Sequence, residues 1–231
     1  MPRPKIAILG RFTESASALR YRGVVTSRAL AEWIWAAGGD PITLLPGNDP
    51  DALNWAERLA GVDGVLMPGG GDIRPTRYGC SDGHPSLYDM DDVQDESDIT
   101  LVRYCLDTAI PLLAVCRGLH VLNTALGGRL IVDMPQHHRH QVRTVALTGN
   151  APMMGLRGDT VRGSCYHHQA IDVVAEGLEV VGRAEDETVE AVWCPAPAWT
   201  AGVQWHPEDT WDVDPDQLSV ARAFVAACDR R

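Results

Sequence analysis

Residues 111–128, "PLLAVCRGLHVLNTALGG", run from a short apolar stretch directly into a helical pattern, with Cys116 at the junction. The apolar run is the length of a buried strand, and the positions after it repeat at helical spacing. Upstream, the same rhythm recurs: "KIAIL" at residues 5–9, a helical pattern over 27–37, "ITLL" at 42–45, a helical pattern over 51–60, "DGVLM" at 63–67 and a helix over 93–108. Strands alternating with helices predict parallel strands joined by helical crossovers, with both sheet faces covered. Gly38-Gly39 and Pro41 stop the first helix before the second strand.

Downstream of Gly128 the pattern changes. "RTVAL", "LEVVGRA", "TVEAVW" and "TAGVQW" are β-rich and separated by Gly, Pro and Asn signals, so they read as antiparallel hairpins added to the same sheet. Residues 214–228 close as an amphipathic helix, with Leu218, Ala221, Phe224, Val225 and Cys228 on one face. The expectation is an α/β fold over residues 1–231 as one domain, with a mostly parallel central sheet, helices on both faces and added antiparallel hairpins.

The formal charge of the 231-residue chain is −11, which argues against nucleic acid or an anionic membrane as a partner, since such surfaces need clustered Lys and Arg. The apolar run near the N-terminus is four residues long, too short for a signal-peptide core, and no stretch reaches the roughly 18 apolar residues of a membrane span. The six cysteines (Cys80, Cys105, Cys116, Cys165, Cys194, Cys228) are scattered without a CxxC, which suggests reduced thiols and a cytoplasmic setting.

In "AVCRG", Ala114 and Gly118 flank Cys116 two residues to either side. A sharp strand-to-helix turn presses its flanks against neighbours and needs small residues there, as in Gly-x-Ser-x-Gly elbows. The turn also sets the sulfur at a helix N-terminus, where the dipole favours thiolate. The competing reading of Cys116 is a small buried hydrophobe. A nucleophile needs a base and a group to orient it, and "GVQWHPED" offers His206 and, two residues on, Glu208. The alternative for this pair is two polar residues at a strand end. "LMPGGGDIRP" offers Gly69-Gly70-Gly71 as a loop able to turn backbone N–H groups toward an oxyanion. It matches neither GxGxxG nor a Walker A loop, so a phosphate cradle is the lesser reading.

Four segments in this order, "MPGGGDIRPTRYG", "LLAVCRGLHVLNTALGGRL", "CYHHQAID" and "AGVQWHPE", resemble the class I glutamine amidotransferase superfamily, and within it the γ-glutamyl-γ-aminobutyrate hydrolase, or peptidase C26-type, family. The resemblance covers nearly the whole chain and implies a flavodoxin-like, class I glutamine amidotransferase-like fold. It implies Cys116 as nucleophile, His206 as base and Glu208 as orienting acid. The oxyanion donors it implies are the amides of Gly70, Gly71 and Arg117. Tyr166, His167, His168 and Gln169 are then expected to line the mouth and hold the glutamyl end of a small-molecule substrate. The implied reaction is cleavage of a γ-glutamyl amide through a thioester, as in amine catabolism, with no cofactor and no metal. Two departures stand out: Gly163-Ser164-Cys165 where the family usually reads Val-Asn-Ser, and Gln94-Asp95 where it commonly reads Arg-Asp. Both leave the three triad positions intact and bear on the pocket, so the substrate is where this chain is expected to differ.

The cluster "HHRH" at residues 137–140 has the density of a metal site, but no Cys, Asp or Glu accompanies it nearby and it reads as a solvated loop. The acidic run at 89–98 reads as a solvated helix start. Trp33, Trp35, Trp55, Trp193, Trp199, Trp205 and Trp211 read as core or interface residues. Two other functions fit the same residues: a glutaminase subunit delivering ammonia to a partner synthase, and a catalytically silent binding module. The number of subunits is left open, a homo-oligomer included.

Overall fold

Ile6 to Leu9 are buried on both faces of the first strand, with Ile6 and Ile8 packed to one side and Ala7 and Leu9 to the other. A strand so covered belongs in the interior of a sheet with helices above and below. The computed structural model describes residues 2–17, 19–195 and 198–229.

The elements in chain order are β1 (Lys5–Leu9), β2 (Arg11–Thr13), β3 (Gly23–Val25), α1 (Arg28–Ala36), β4 (Asp40–Leu44), α2 (Trp55–Arg58), β5 (Gly64–Met67), α3 (Asp92–Thr108), β6 (Leu112–Val115) and α4 (Arg117–Ala125). They continue with β7 (Arg129–Ile131), β8 (His138–Leu147), β9 (Thr160–His167), β10 (Ala170–Val173), β11 (Glu179–Ala184), β12 (Val189–Cys194), β13 (Thr200–Val203) and α5 (Pro215–Ala227). Nine strands form one sheet in the order β4-β1-β5-β6-β13-β12-β11-β8-β9. It is parallel from β4 through β13 and antiparallel from β13 to β9.

α1 and α5 cover one face, where Leu30, Trp33 and Ile34 share a core with Val220, Ala221 and Phe224. α2, α3 and α4 cover the other, with Trp55, Leu101, Val102, Leu119 and Leu122 buried together. Each large apolar side chain fully buried in this way contributes about 1.5–3 kcal/mol relative to exposure. α3 starts where Asp91 accepts hydrogen bonds from the amides of Val93 and Gln94, and α5 where Asp214 accepts from Asp216.

Three expectations need correction. The helix expected over 51–60 is only α2, capped by Asn54, because residues 49–54 are held in turns by the Asp49 carboxylate. The segment "TAGVQW" is more than a hairpin strand: β13 pairs antiparallel with β12 but parallel with β6, so it sits at the centre of the sheet. "HHRH" is a solvated loop only at His137, since His138 begins β8 and is fully buried. Of the tryptophans read as core or interface, Trp35 lies outside the core, half exposed, with the Arg3 guanidinium 3.7 Å from its ring centroid. Two small sheets, β2-β3 and β10-β7, are additions. No disulfide joins the described cysteines, and no described helix is long and apolar enough to cross a membrane.

Candidate active site

Three neighbouring parallel strands end at one edge, where open α/β sheets hold their ligands. β5 runs into the loop Gly69–Gly71, β6 into Cys116, and β13 into Gln204-Trp205-His206. The register sets Met67 beside Ala114 and Val115 beside Val203, so residues far apart in sequence leave the sheet side by side.

Cys116 adopts φ 52° and ψ −108°, a conformation costly for a residue with a side chain and held only when its surroundings over-determine it. The Cys116 amide donates to Val203 O at 2.8 Å and α4 follows at once. A Cβ on Gly118 would lie 2.3 Å from Met67 O, which is why the second flanking position has no side chain. Gly69–Gly71 lie outside the left-handed region, and close approach accounts for their missing side chains. A Cβ on Gly70 would meet Arg11 Nε at 2.5 Å, and one on Gly71 would meet Asp89 O at 2.6 Å. Gly70, Gly71 and Arg117 border the recess that contains Cys116, and the Arg117 amide, in the first turn of α4, has no intrahelical acceptor.

His206 Nδ1 donates to Glu208 Oε1 at 2.8 Å, while the ring also hydrogen-bonds Cys116. The His206 amide donates to Ser164 O at 2.8 Å, and Pro207 opens a 3-10 turn that carries Glu208 back toward the ring. Burial disfavours the imidazolium, but the negative Cys116 and Glu208 outweigh it and raise His206 to about 12. On the other side of Cys116, Gln204 Nε2 lies 3.8 Å from the sulfur, and Gln204 Oε1 contacts His120 Nε2 at 2.7 Å. Burial pushes His120 down to about 3, so its ring is neutral.

All four residues of Tyr166–Gln169 border the recess, but in different ways. Tyr166 is exposed at the mouth, packed edge-on against His140. His167 Nδ1 donates to Gln169 O at 2.8 Å. His168 stands between Asp133 (2.8 Å) and Asp72 (3.0 Å), and these carboxylates, against burial, raise its pKa. With both ring nitrogens engaged, His168 is a positioning residue. Gln169 Nε2 reaches Val132 O at 3.3 Å and Tyr78 Oη at 3.4 Å. The free space in the recess is about 10 Å³, room for one water. His206 and Glu208 also border a cleft of about 400 Å³ shared with Arg11 and Pro68.

The acidic run at 89–98 starts α3, with Asp91 as cap and Asp92 exposed, but it is not solvated throughout. Gln94, Asp95 and Asp98 are buried beneath the elbow. Arg117 Nη2 meets Asp95 Oδ1 at 2.6 Å, its Nη1 bonds Asp98, and Arg11 Nη1 reaches the same Asp98 carboxylate at 3.3 Å. Gln94 Nε2 donates to Asp98 Oδ1 and to Gly10 O. The Arg117 side chain thus anchors the first turn of α4, a task its sequence position does not reveal. Arg139 and Tyr88 were also missed: the Arg139 guanidinium lies 5.3 Å and 5.6 Å from the ring centroids of Tyr88 and Tyr166 at the mouth. Asp72, directly after the glycines, and Gln204, inside "GVQWHPE", sat next to motifs already singled out.

Two groups of side chains have metal-ligating chemistry. One is Asp133, His137 and His168; the other, fully buried, is His138, Cys165, His167 and Glu190. The premise that no Cys or Glu accompanies "HHRH" fails in three dimensions, because β9 and β12 bring Cys165 and Glu190 to His138.

The Peptidase C26 profile matches residues 4–208. A Mycobacterium tuberculosis protein whose name proposes a glutamine amidotransferase is 35% identical over 210 residues, covering 85% of this chain and 65% of that one. This chain therefore spans just under two thirds of that relative. The γ-glutamyl-γ-aminobutyrate hydrolase PuuD of Escherichia coli K12 is 30% identical over 214 residues, 83% of this chain and 82% of the other. A solved glutamine amidotransferase from Thermotoga maritima has the same fold, with a TM-score of 0.66 at 12% identity over 98% of this chain and 99% of that one. Fold and matches together define a class I glutamine amidotransferase-like protein. Within that class the chain belongs to the Peptidase C26 family, a family of hydrolases.

Proposed function

We propose that the chain hydrolyses the γ-glutamyl amide bond of a small amine or amino acid through a thioester on Cys116. The observation that carries this reading is the convergence of a positive-φ cysteine, an imidazole hydrogen-bonded to it and a carboxylate on that imidazole's other nitrogen. Cys116 thiolate attacks the side-chain carbonyl carbon, and the amides of Gly70, Gly71 and Arg117 receive the oxyanion. His206 gives its proton to the leaving amine, then takes one from the water that hydrolyses the thioester. Glu208 keeps the ring oriented and stabilises its charged form.

Arg139 favours a carboxylated substrate. Its Nε is buried without a hydrogen-bond partner, between two tyrosines at the mouth, so a glutamyl α-carboxylate can take up that donor. The narrow recess implies that Tyr88 and Tyr166 separate when substrate enters. The names of the relatives also support γ-glutamyl or glutamine amide chemistry.

A panel of γ-glutamyl amides, assayed for amine release with Cys116→Ala as control, tests the reading. The expected result is turnover of at least one γ-glutamyl amide, a glutamyl adduct on Cys116 by mass spectrometry, and no turnover by the variant. Ammonia release from glutamine that requires a second protein would replace this reading with a glutaminase subunit. A folded protein whose Cys116 ignores γ-glutamyl electrophiles would replace it with a binding module.

A further inference from the structure

The antiparallel half of the sheet carries a second constellation, next to the recess wall at His167. β8 and β9 pair with His138 opposite His167. Cys165 lies two residues before His167 and so shares its face of β9. β12 contributes Glu190. All four residues are buried, and one donor atom from each falls within 4.8 Å of the others. We propose that His138 Nδ1, His167 Nε2, Cys165 Sγ and a Glu190 carboxylate oxygen form a four-coordinate site for Zn2+.

Spacing is the first argument. Bonds of about 2.0 Å to N and O and about 2.3 Å to S place the corners of a tetrahedron roughly 3.3–3.6 Å apart. Glu190 Oε1 lies 3.0 Å from His138 Nδ1 and 3.4 Å from His167 Nε2, and Glu190 Oε2 lies 3.9 Å from Cys165 Sγ. Small side-chain adjustments close the shell.

The second argument is the state of the two rings. A carbonyl oxygen only accepts, so the Gln169 O contact fixes the proton of neutral His167 on Nδ1 and leaves the Nε2 lone pair toward the cluster. That Nε2 is buried and makes no hydrogen bond of good geometry, its carboxylate neighbour Glu190 Oε1 standing 3.4 Å away, a condition costly unless something else occupies it. His138 uses its outer nitrogen, Nε2, on Asp186 at 2.6 Å and turns Nδ1 to Glu190 Oε1 at 3.0 Å, so a metal in the cluster takes the place of the Nδ1 proton. Histidines that bind metal commonly donate their second N–H to a carboxylate or a backbone carbonyl, and here one does each.

The donor set of two imidazoles, one thiolate and one carboxylate suits zinc and disfavours calcium or magnesium, which want oxygen throughout. Four protein donors leave no coordination position for water, so the site is structural. It ties the start of β8 and the end of β9 to β12, and so braces Tyr166–Gln169 at the recess. On the side away from the recess, Asp186 is about a third accessible.

The full-length protein, stripped with EDTA and titrated with Zn2+ and separately with Co2+, tests the site. About one equivalent of each is expected, with Co2+ giving a thiolate-to-cobalt charge-transfer band and intense visible bands of tetrahedral geometry. Cys165→Ser should lose the charge-transfer band, and Asp186→Asn should keep it while weakening Zn2+ about 10- to 100-fold. Cys116→Ser and His137→Ala should leave the titrations unchanged. If Cys165→Ser does not fold by circular dichroism, the wild-type cobalt spectrum and Asp186→Asn decide. Absence of stoichiometric binding to folded wild type overturns the proposal. So does a cobalt band lost in Cys116→Ser, which puts the metal at the elbow, or binding lost in His137→Ala, which puts it at Asp133, His137 and His168.

Discussion

Cys116 and Cys165 are both buried thiols with an imidazole and a carboxylate close by, yet the order of the groups differs. At Cys116 the imidazole of His206 stands between sulfur and carboxylate, with Glu208 on its far nitrogen. At Cys165 the carboxylate of Glu190 comes first, 3.9 Å from the sulfur, and His138 and His167 lie on its other side. A cation next to a thiol favours thiolate, whereas an anion disfavours it. Burial and then Glu190 push the Cys165 thiol well above its ordinary range. Three residue types arranged in two orders therefore yield one candidate nucleophile and one sulfur held as a thiol by burial and Glu190.

The widest break between the two sites is expected in turnover. Cys116→Ala should reduce kcat for a γ-glutamyl amide on the order of 10⁴- to 10⁶-fold, the scale seen when a covalent nucleophile is removed. Cys165→Ala should stay active, losing at most about tenfold through a loosened Tyr166–Gln169 segment. Equal losses in the two variants would end the comparison.

The elbow also differs in what lies beneath it. Arg117 and Arg11 share the buried carboxylate of Asp98, and Asp95 completes the network. Asp98→Asn leaves two guanidinium groups short of an anion, and removing one partner of a buried pair typically costs about 3–5 kcal/mol. Urea unfolding should show that loss, and the reactivity of Cys116 should fall as α4 loosens. A stability change below about 1 kcal/mol would mean that the network is neutral and Cys116 owes it nothing.

A third variant addresses the order of groups directly. Glu208→Gln keeps the shape but removes the charge behind His206, so kcat should drop on the order of 10²-fold. Unchanged activity would show that the imidazole needs no carboxylate there, and the contrast with Glu190 would lose its meaning.

β1, β5 and β6 of the parallel half are legible because they are buried on both faces and read as short apolar runs between helical patterns. The elbow was legible for a similar reason: Ala114 and Gly118 record how tightly the turn is packed against its neighbours. What local sequence does not record is adjacency. Only the β13–β6 register brings His206 to Cys116, and only the β8–β9 register sets His138 against His167. Local sequence therefore leaves "GVQWHPE" open between a base with its orienting acid and a plain strand end, and it reads "HHRH" as a loop. The acidic run misled because charge at a helix start ordinarily faces water, and its buried partners, Arg11 and Arg117, lie 87 and 22 residues away in sequence from the carboxylates they meet. At Gly70 and Gly71 the sequence does not record a second demand, crowding by Arg11 and Asp89 that leaves no room for a Cβ.

The smallest expected effect is the most direct measure of the order of groups at Cys116. His206 is raised to about 12 because its two anionic neighbours together outweigh a burial that disfavours the charged ring. In Cys116→Ser the thiolate is replaced by a neutral hydroxyl, while Glu208 remains 2.8 Å away. Losing one anion disfavours the imidazolium, so the His206 pKa must fall, and the variant should release the ring proton at lower pH than the wild type. The ring-proton chemical shifts of His206, followed by NMR across the alkaline range, report this without any substrate. A further fall in Cys116→Ser/Glu208→Gln divides the shift between the two anions. If Cys116→Ser leaves the titration where it was, the sulfur is not the charge that holds His206 protonated, and the two cysteines differ less than their surroundings suggest.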